Sequence, residues 1–219
     1  MGGYRSDKRE VAQMRRDYAR EKLTESSVED NPINQFMVWF EQAASVDLLD
    51  PNAMTLSTVS SEGIPSSRIV LLKGVDERGF RFYTNYDSQK AQELDGNPHA
   101  ALCFYWAPLE RQVRIEGEVE KLSRDESEAY FGQRPRMSQL GAWASEQSSK
   151  VGSREELDKR FDEVKQRFEN QEVSLPDFWG GYLLKPRKIE FWQGRKDRMH
   201  DRICYEKKDD GWEMFRLSP

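Results

Sequence analysis

The chain contains few of the residues that form disulfides or structural metal sites. Its 219 residues include two cysteines and two histidines. Cys103 and Cys204 form no CxxC pair, so we predict buried free thiols and no disulfide framework. His99 and His200 add too few ligands for a structural zinc site, and we predict that no metal is bound.

The sequence also lacks long apolar runs and an excess of positive charge. No window approaches the roughly 18 apolar residues of a membrane-spanning helix, and the first ten residues contain no apolar signal-peptide core. There are 39 acidic and 34 basic residues, a net charge of −5, whereas broad contact with nucleic acid requires an extended basic surface. We therefore predict a soluble, cytoplasmic protein of one ordinary domain, with no membrane segment and no nucleic-acid partner.

One segment concentrates cations despite this acidic composition. Residues 195–202 follow directly on the apolar, aromatic run 189–193. If the segment is extended, alternation of side chains places Arg198, His200 and Arg202 on one face. Arginine forks and a histidine that titrates near neutral pH suit a phosphate or another anionic small molecule. A solvated charged turn is the alternative interpretation.

Hydrophobic periodicity predicts a chain that is mainly β with flanking helices. The predicted helices cover residues 6–23, 31–46, 124–131 and 153–168, with a helical turn at 88–94. The predicted strands cover residues 53–59, 67–73, 80–84, 100–106 and 111–122, and three further strands end at residue 217. The short turns between the strands indicate antiparallel pairing.

Two of these elements carry further predictions. Residues 69–72 are apolar on both faces, which indicates a strand in the centre of the sheet, with Arg68 and Lys73 at its polar ends. On these residues alone, the two cations could equally be strand ends without a ligand. The turn at 88–94 begins with free backbone N–H groups, which make it a candidate anion site.

Nine motifs carry a resemblance to a known family. They are RIVLLK (68–73), FYTN (82–85), ERQV (110–113), YFGQRPRMS (130–138), GAW (141–143), QS (147–148), FWGG (178–181), EFWQG (190–194) and RMHDR (198–202). In content, order and spacing they resemble the pyridoxamine 5′-phosphate oxidase family, over residues 14–219.

The resemblance implies a fold, a cofactor and a reaction. The fold is an antiparallel, FMN-binding split β-barrel that forms a homodimer with FMN at the interface. The reaction is oxidation of pyridoxine 5′-phosphate or pyridoxamine 5′-phosphate by O2 to pyridoxal 5′-phosphate. It proceeds by hydride transfer from C4′ to flavin N5, releases H2O2, and releases NH3 from the amine. Residues 1–25 are then a mobile N-terminal helical segment that covers the site, and residues 26–219 are one FMN-binding domain.

The resemblance also assigns residues to this site. Flavin contacts fall on Arg68, Ile69, Val70, Leu71, Leu72, Lys73, Tyr83, Thr84, Gln89, Lys90, Gln112, Gln147, Ser148, Trp192 and Arg202. Substrate contacts fall on Arg15, Tyr18, Lys73, Tyr130, Arg134, Ser138, Arg198 and His200. Of these, Arg198 and His200 are the catalytic pair, as groups that orient the substrate ring and stabilise charge. Trp106, Trp143 and Trp179 are assigned to the core. Gln89 departs from the family pattern, which commonly has arginine there.

Two other functions remain open at this point. A split-barrel flavin reductase that uses a nicotinamide cofactor would keep the flavin strands but lack the substrate-phosphate donors. A non-catalytic carrier of flavin or pyridoxal phosphate would use the same binding groups as the oxidase. Multiple turnover with oxygen distinguishes the carrier from the enzyme.

Overall fold

The computed structural model describes residues 21–219. Its helices are α1 (Pro32–Ala44), α2 (Gln89–Gly96), α3 (Arg124–Gln133), α4 (Arg136–Ala144) and α5 (Arg154–Arg167). Its strands are β1 (Ala53–Val59), β2 (Pro65–Leu71), β3 (Gly74–Asp76), β4 (Gly79–Asn85), β5 (His99–Trp106), β6 (Arg111–Lys121), β7 (Trp179–Gln193), β8 (Asp201–Lys208) and β9 (Gly211–Arg216). The prediction of a mainly β chain with flanking helices is confirmed, and α4 is a helix that the periodicity did not indicate.

The predicted N-terminal helix falls largely outside the described residues. Of its span, 6–23, only residues 21–23 are described, and they are not helical. Within residues 21–219, no helix is long and apolar enough to cross a membrane.

The strands form one antiparallel sheet. Its order is β2-β1-β5-β6-β7-β4-β3, with β8 paired to β7 and β9 paired to β8. The long strand β7 changes partners along its length, because its first half pairs with β4 and its second half with β8. The change occurs near Pro186, opposite a bulge between Glu116 and Gly117. A Cβ on Gly117 would lie 2.1 Å from the carbonyl oxygen of Lys185, so this close approach requires glycine.

Helix α1 closes one side of the barrel. It begins where Asn31 accepts a hydrogen bond from Ile33 N at 2.8 Å, with Pro32 in the first turn. Its fully buried Phe36 packs edge-on against Phe80, with ring centroids 4.9 Å apart. These contacts join the helix to the main apolar core inside the barrel.

Strand β2 is at an edge of the sheet, so the prediction of a central strand was wrong. Its only strand partner among the described residues is β1. Ile69 is 66% exposed and Leu71 is 38% exposed, whereas Arg68 and Val70 on the other face are partly buried. Apolar side chains on both faces of a strand indicate that both faces can be buried. They do not show that the strand has a neighbouring strand on each side within the sheet.

Residues 195–202 are not extended, so the predicted common face of Arg198, His200 and Arg202 was wrong. Lys196–Arg198 form a 3-10 turn, in which Asp197 and Arg198 have φ values of 57° and 60°. Only Arg202 lies in a strand, at the beginning of β8. The turn forms because a left-handed backbone at two residues reverses the chain and interrupts side-chain alternation.

A second, smaller apolar cluster lies beside the barrel. Helices α3, α4 and α5 and the segment before β7 enclose it. Its buried residues are Phe131, Leu140, Ala142, Phe168, Val173, Leu175 and Trp179. Helix α3 starts at a capping box in which Ser123 and Glu126 satisfy each other's backbone N–H groups. This layer holds α3 and α4 next to β2 and β4.

Candidate functional site

Most of the predicted site residues surround one open cavity of about 870 Å³. Strands β2 and β4, the first turn of α2, the α3–α4 connection and the segment after α4 form its walls. The lining residues are Ser66, Ser67, Arg68, Ile69, Val70, Leu71, Lys73, Tyr83, Thr84, Asn85, Gln89, Lys90, Tyr130, Arg134, Ser138, Gly141, Ala142, Ser145, Gln147, Ser148 and Trp179. Among the predicted flavin residues 68–73, Leu72 is the exception, because its side chain is buried in the main core.

Arg68 and Lys90 form one cationic end of the cavity. Arg68 donates through Nη1 to Leu56 O at 3.2 Å and pairs through Nη2 with the carboxylate of Glu93 at 3.2 Å. Lys90 lies in the first turn of α2 and is 7% exposed. Burial and, to a lesser extent, the charge of Arg68 lower the pKa of Lys90 to about 8, against the opposing charge of Glu93. The Lys90 charge therefore depends on pH near neutrality.

A hydroxyl, an amide and the Lys90 ammonium meet next to this end. Lys90 Nζ donates to Gln147 Oε1 at 2.9 Å and to Thr84 Oγ1 at 3.1 Å. Thr84 also donates to Gln147 Oε1, at 2.9 Å. The next residue, Ser148, has a left-handed backbone with φ of 74°. The two hydrogen bonds to Oε1 of Gln147 fix where its side-chain amide points.

Arg134 forms the second cationic end. Its guanidinium lies 4.5 Å from the ring centroid of Trp179, and burial lowers the pKa of Arg134. Its Nη1 is buried and has no hydrogen-bond partner among the described residues. Burying an arginine N–H without an acceptor costs free energy of folding. The Nη1 donor is therefore suited to a hydrogen bond with a bound anion. Lys73 and Ser138 line the same cavity.

An aromatic wall lines the cavity beside Arg134. The rings of Tyr83 and Tyr130 are stacked with centroids 3.8 Å apart, and Trp179 lies 5.6 Å from Tyr83 in a nearly parallel plane. Burial raises the pKa of Tyr83, so its hydroxyl remains protonated at neutral pH. The i, i+4 spacing of Tyr130 and Arg134, which a helix-surface pair also produces, here places both side chains against the cavity.

The remaining predicted residues form a second group that does not line this cavity. Gln112 pairs with Trp192 across β6 and β7, and Trp192 pairs with Arg202 across β7 and β8, so the three share one face of the sheet. Arg202 donates to both carboxylate oxygens of Glu190, at 3.0 and 2.9 Å. Within one chain, the structure therefore separates these residues from the Arg68 and Arg134 ends.

His200 belongs to this second group. Its ring centroid lies 4.7 Å from that of Trp192, and its Nδ1 accepts a hydrogen bond from Arg195 N at 3.1 Å. Burial lowers the pKa of His200, and the nearby Arg198 charge lowers it further. Since Nδ1 is an acceptor, the neutral ring carries its proton on Nε2.

Sequence reasoning missed several residues of the cavity. Trp179 was assigned to the core and is buried in the second apolar cluster, but it also lines the cavity and lies against Arg134. Glu93 was not considered, although its position four residues after Gln89 places both on one helix face. Arg15 and Tyr18 lie outside the described residues.

Two family models match this chain. The model for pyridoxamine 5′-phosphate oxidase matches residues 40–168. The model for the pyridoxine 5′-phosphate oxidase C-terminal dimerisation region matches residues 179–219. The chain belongs to the pyridoxamine 5′-phosphate oxidase family. Membership confirms the resemblance and makes the chain an oxidoreductase and a flavoprotein.

Curated relatives agree with this membership. A pyridoxine/pyridoxamine 5′-phosphate oxidase from Rubrobacter xylanophilus is 53% identical over 212 residues, which are 97% of this chain and 98% of the relative. A protein of the same name from Acaryochloris marina is 56% identical over 209 residues, 95% of each chain.

Solved structures of family members share the fold. PhzG from Burkholderia lata, in complex with tetrahydrophenazine-1-carboxylic acid, has a TM-score of 0.85 and 28% identity, covering 91% of this chain and 98% of that one. A pyridoxamine 5′-phosphate oxidase-related, FMN-binding protein from Nostoc punctiforme has a TM-score of 0.70 and 18% identity, covering 85% and 96%. The predicted antiparallel split barrel is therefore confirmed.

The cavity residues of this family member fit a phosphorylated flavin together with a second phosphorylated molecule. The cavity lining includes two arginines, two lysines and several hydroxyl and amide groups. The unpartnered Nη1 of Arg134 fits an anion that is distinct from the one at Arg68. The aromatic wall suits flat rings.

Proposed function

We propose that this chain is an FMN-dependent oxidase of pyridoxine 5′-phosphate and pyridoxamine 5′-phosphate. The observation that carries the proposal is one cavity that has two cationic ends, one at Arg68 and Lys90 and one at Arg134, together with an aromatic wall. A flavin phosphate and a substrate phosphate need two such ends, and two flat rings need such a wall.

At the flavin end, Arg68, Lys90 and Gln89 hold the phosphate. Thr84, Gln147 and Ser148 supply hydroxyl and amide groups to the rest of the cofactor. Charge-assisted hydrogen bonds contribute about 1.5 to 3 kcal/mol each, before ordering costs are subtracted.

At the substrate end, Lys73, Tyr130, Arg134 and Ser138 hold the phosphate of pyridoxine or pyridoxamine. Arg134 is prepared for this role, because stacking on Trp179 fixes the guanidinium plane and Nη1 has no described partner. A phosphate at this end places the substrate ring toward the flavin, where the reacting atoms need near-attack distance.

Two copies of the chain complete each site in this proposal. Gln112, Trp192, Arg198, His200 and Arg202 do not line the Arg68–Arg134 cavity of their own chain. Most of them lie in the span matched by the dimerisation region. The exposed apolar side chains of β2 border the cavity and offer a surface for a second copy. A homodimer then brings the second group of one chain to the cavity of the other.

FMN held by Arg68, Lys90 and Gln147 would supply the redox chemistry for oxidation of the substrate at C4′ by O2, which gives H2O2 and an aldehyde from the alcohol, or H2O2, an aldehyde and NH3 from the amine after hydrolysis. The chain's residues orient and stabilise. His200, neutral and protonated on Nε2, donates to the 4′ substituent, while Arg198 stabilises negative charge beside it. Neither side chain forms a covalent bond.

The N-terminal segment is proposed to close the site. Residues 1–25, with Arg15 and Tyr18, would cover the bound substrate, and residues 26–219 form the FMN-binding domain. The first described residues support this place, because the backbone oxygen of Glu21 accepts from Arg195 Nη1 at 2.9 Å. The chain at Glu21 therefore contacts Arg195, the residue directly before the Lys196–Arg198 turn.

Steady-state turnover in air tests the function. Purified yellow protein is given pyridoxine 5′-phosphate, pyridoxamine 5′-phosphate or unphosphorylated pyridoxine, and aldehyde and H2O2 are measured. We expect equal amounts of aldehyde and H2O2 from both phosphates and little from pyridoxine. A yellow protein that releases no product over many turnovers would be a carrier, and a colourless protein that FMN does not reconstitute would contradict the flavin assignment.

A further inference from the structure

A buried carboxylate lies beneath the Arg68 end of the cavity. The side chain of Glu93 on α2 is 8% exposed. It accepts hydrogen bonds from Thr58 Oγ1, from Ser66 Oγ at 2.7 Å and from Gln89 Nε2 at 2.8 Å. Burial acts to raise the pKa of Glu93, but these hydrogen bonds and the Arg68 charge outweigh it and lower the pKa to about 2. Glu93 is therefore ionised at neutral pH.

Glu93 engages the groups that a flavin phosphate would use. Arg68 Nη2 pairs with its Oε2 at 3.2 Å, and Gln89 gives it the side-chain amide. Both Arg68 and Gln89 line the cavity. The carboxylate therefore acts as an internal anion at this end, and it cancels one of the two positive charges of Arg68 and Lys90.

The position of Arg68 does not depend on Glu93. Its Nη1 donates to Leu56 O at 3.2 Å and to Thr58 Oγ1, and its Nη2 donates to Ser66 Oγ. Strand β2 and its neighbour β1 thus hold the guanidinium from the other side. A neutral side chain of the same shape at position 93 would leave the arginine in place and free its charge.

We propose that Glu93 sets the affinity for the phosphate of the bound flavin, by competing for Arg68 and by opposing the phosphate with its own charge. The inference rests on the proposed function, since it takes FMN as the ligand of this end. It explains how Gln89 fits the site: a neutral residue at 89 and an anion at 93 together leave only one net positive charge for a phosphate with close to two negative charges. The chain then binds phosphorylated flavin less tightly than its donor geometry permits.

Glu93→Gln tests this role without changing side-chain shape. Apoprotein of the wild type and variant is titrated with FMN and with riboflavin at neutral pH, and binding is followed by quenching of flavin fluorescence. We expect the Kd for FMN to fall about tenfold, because the variant removes a negative charge that repels the phosphate through a partly screened site. The Kd for riboflavin, which has no phosphate, should change by less than about twofold. Asp95→Asn is the matched control, because Asp95 is on the same helix but pairs outward with Lys121 at 3.0 Å; it should change neither constant.

The outcomes separate the inference from the function on which it rests. An FMN Kd that is unchanged or higher in Glu93→Gln, or a riboflavin Kd that changes equally, would overturn the role of Glu93 while leaving the oxidase intact. Wild-type apoprotein that binds neither flavin would overturn both. A second variant, Gln89→Glu, adds a carboxylate one turn earlier and keeps Glu93; we expect about tenfold weaker FMN binding with little effect on riboflavin, and equal FMN affinity would also overturn the inference.

Discussion

At the scale of single residues, Arg134 makes the proposed division of the cavity into two phosphate ends testable. Arg134→Gln removes both the guanidinium and its stacking on Trp179. Because each lost charge-assisted hydrogen bond costs about 1.5 to 3 kcal/mol, we expect the KM for pyridoxine 5′-phosphate to rise roughly tenfold to a hundredfold. The Kd for FMN should not change. Arg136→Gln is the control, since Arg136 donates to backbone oxygens of Phe168 and Gln171 and does not line the cavity; an equal KM effect there would contradict the assignment.

Gln89 is a neutral residue in the first turn of α2, at a position where the family resemblance leads us to expect arginine. Gln89→Arg adds a cation at the N-terminal turn of α2, and we expect slower FMN dissociation and a lower Kd. The gain is limited, because an arginine at 89 is four residues before Glu93 and pairs with it as the amide does now. Stopped-flow measurement of FMN release compares the two proteins, and an unchanged Kd would refute the expectation.

Lys90 gives flavin binding a pH dependence with a defined sign. Its pKa is about 8 without ligand, because burial and Arg68 disfavour the charged form. A bound phosphate favours the charged form and raises this pKa, so binding takes up a proton above pH 8. FMN affinity should be flat between about pH 7 and 8 and fall by up to tenfold per unit above that. Lys90→Met should abolish this pH dependence. A wild-type Kd for FMN that stays constant above pH 8 would contradict the prediction.

At the scale of elements, the sequence predicted helix α1 at 31–46 correctly, but Met37, which its apolar spacing grouped with Ile33, Phe36 and Phe40, is exposed, and Trp39 is buried instead. The cap of α1, its first-turn proline and the i, i+3 spacing of its apolar residues all agree with a helix that covers a barrel. Phe36→Ala should lower the free energy of unfolding by about 3 to 5 kcal/mol, since this fully buried ring contacts Phe80 and Phe104. Met37→Ala, at an exposed neighbour, should cost about 0.5 kcal/mol or less. Urea unfolding measures both, and similar losses would show that α1 is not part of the core.

The two wrong predictions also concern elements, and they share a physical cause. Apolar residues on both faces of β2 placed it centrally, but Ile69 and Leu71 are exposed at a sheet edge. Alternation predicted an extended segment at 195–202, but left-handed Asp197 and Arg198 form a turn. A local sequence pattern shows which side chains can be buried and which faces of a strand alternate. It does not show which part of the fold covers those side chains, or where two consecutive left-handed residues reverse the chain.

For the whole molecule, the sequence identified the antiparallel fold and most of the cavity but not how the site residues are distributed. The motifs on β2, β4, α2 and α3 meet in one cavity, because the barrel brings their ends together. Gln112, Trp192 and Arg202 meet each other on a different set of strands. The sequence of one chain does not show which residues a second copy contributes to a site, so the order of the motifs alone could not separate these two groups.

Mixed dimers test whether two chains build each site. At a substrate concentration far below the raised KM, Arg134→Gln and Arg198→Met should each be nearly inactive. If each site takes Arg134 from one subunit and Arg198 from its partner, a mixed dimer contains one fully wild-type site. Co-refolding the two variants in equal amounts should then restore about a quarter of wild-type activity through random pairing. No recovery, with dimers confirmed by sedimentation, would place both residues in the same subunit's site.

The reaction of the flavin with substrate in the absence of oxygen tests the proposed oxidase most directly. Holoprotein is mixed anaerobically with pyridoxine 5′-phosphate while its visible absorbance is recorded, and air is then admitted. The flavin band should bleach as the aldehyde forms and return when oxygen enters, together with H2O2. A band that stays oxidised with this substrate but bleaches with a reduced nicotinamide would contradict the oxidase and identify a flavin reductase.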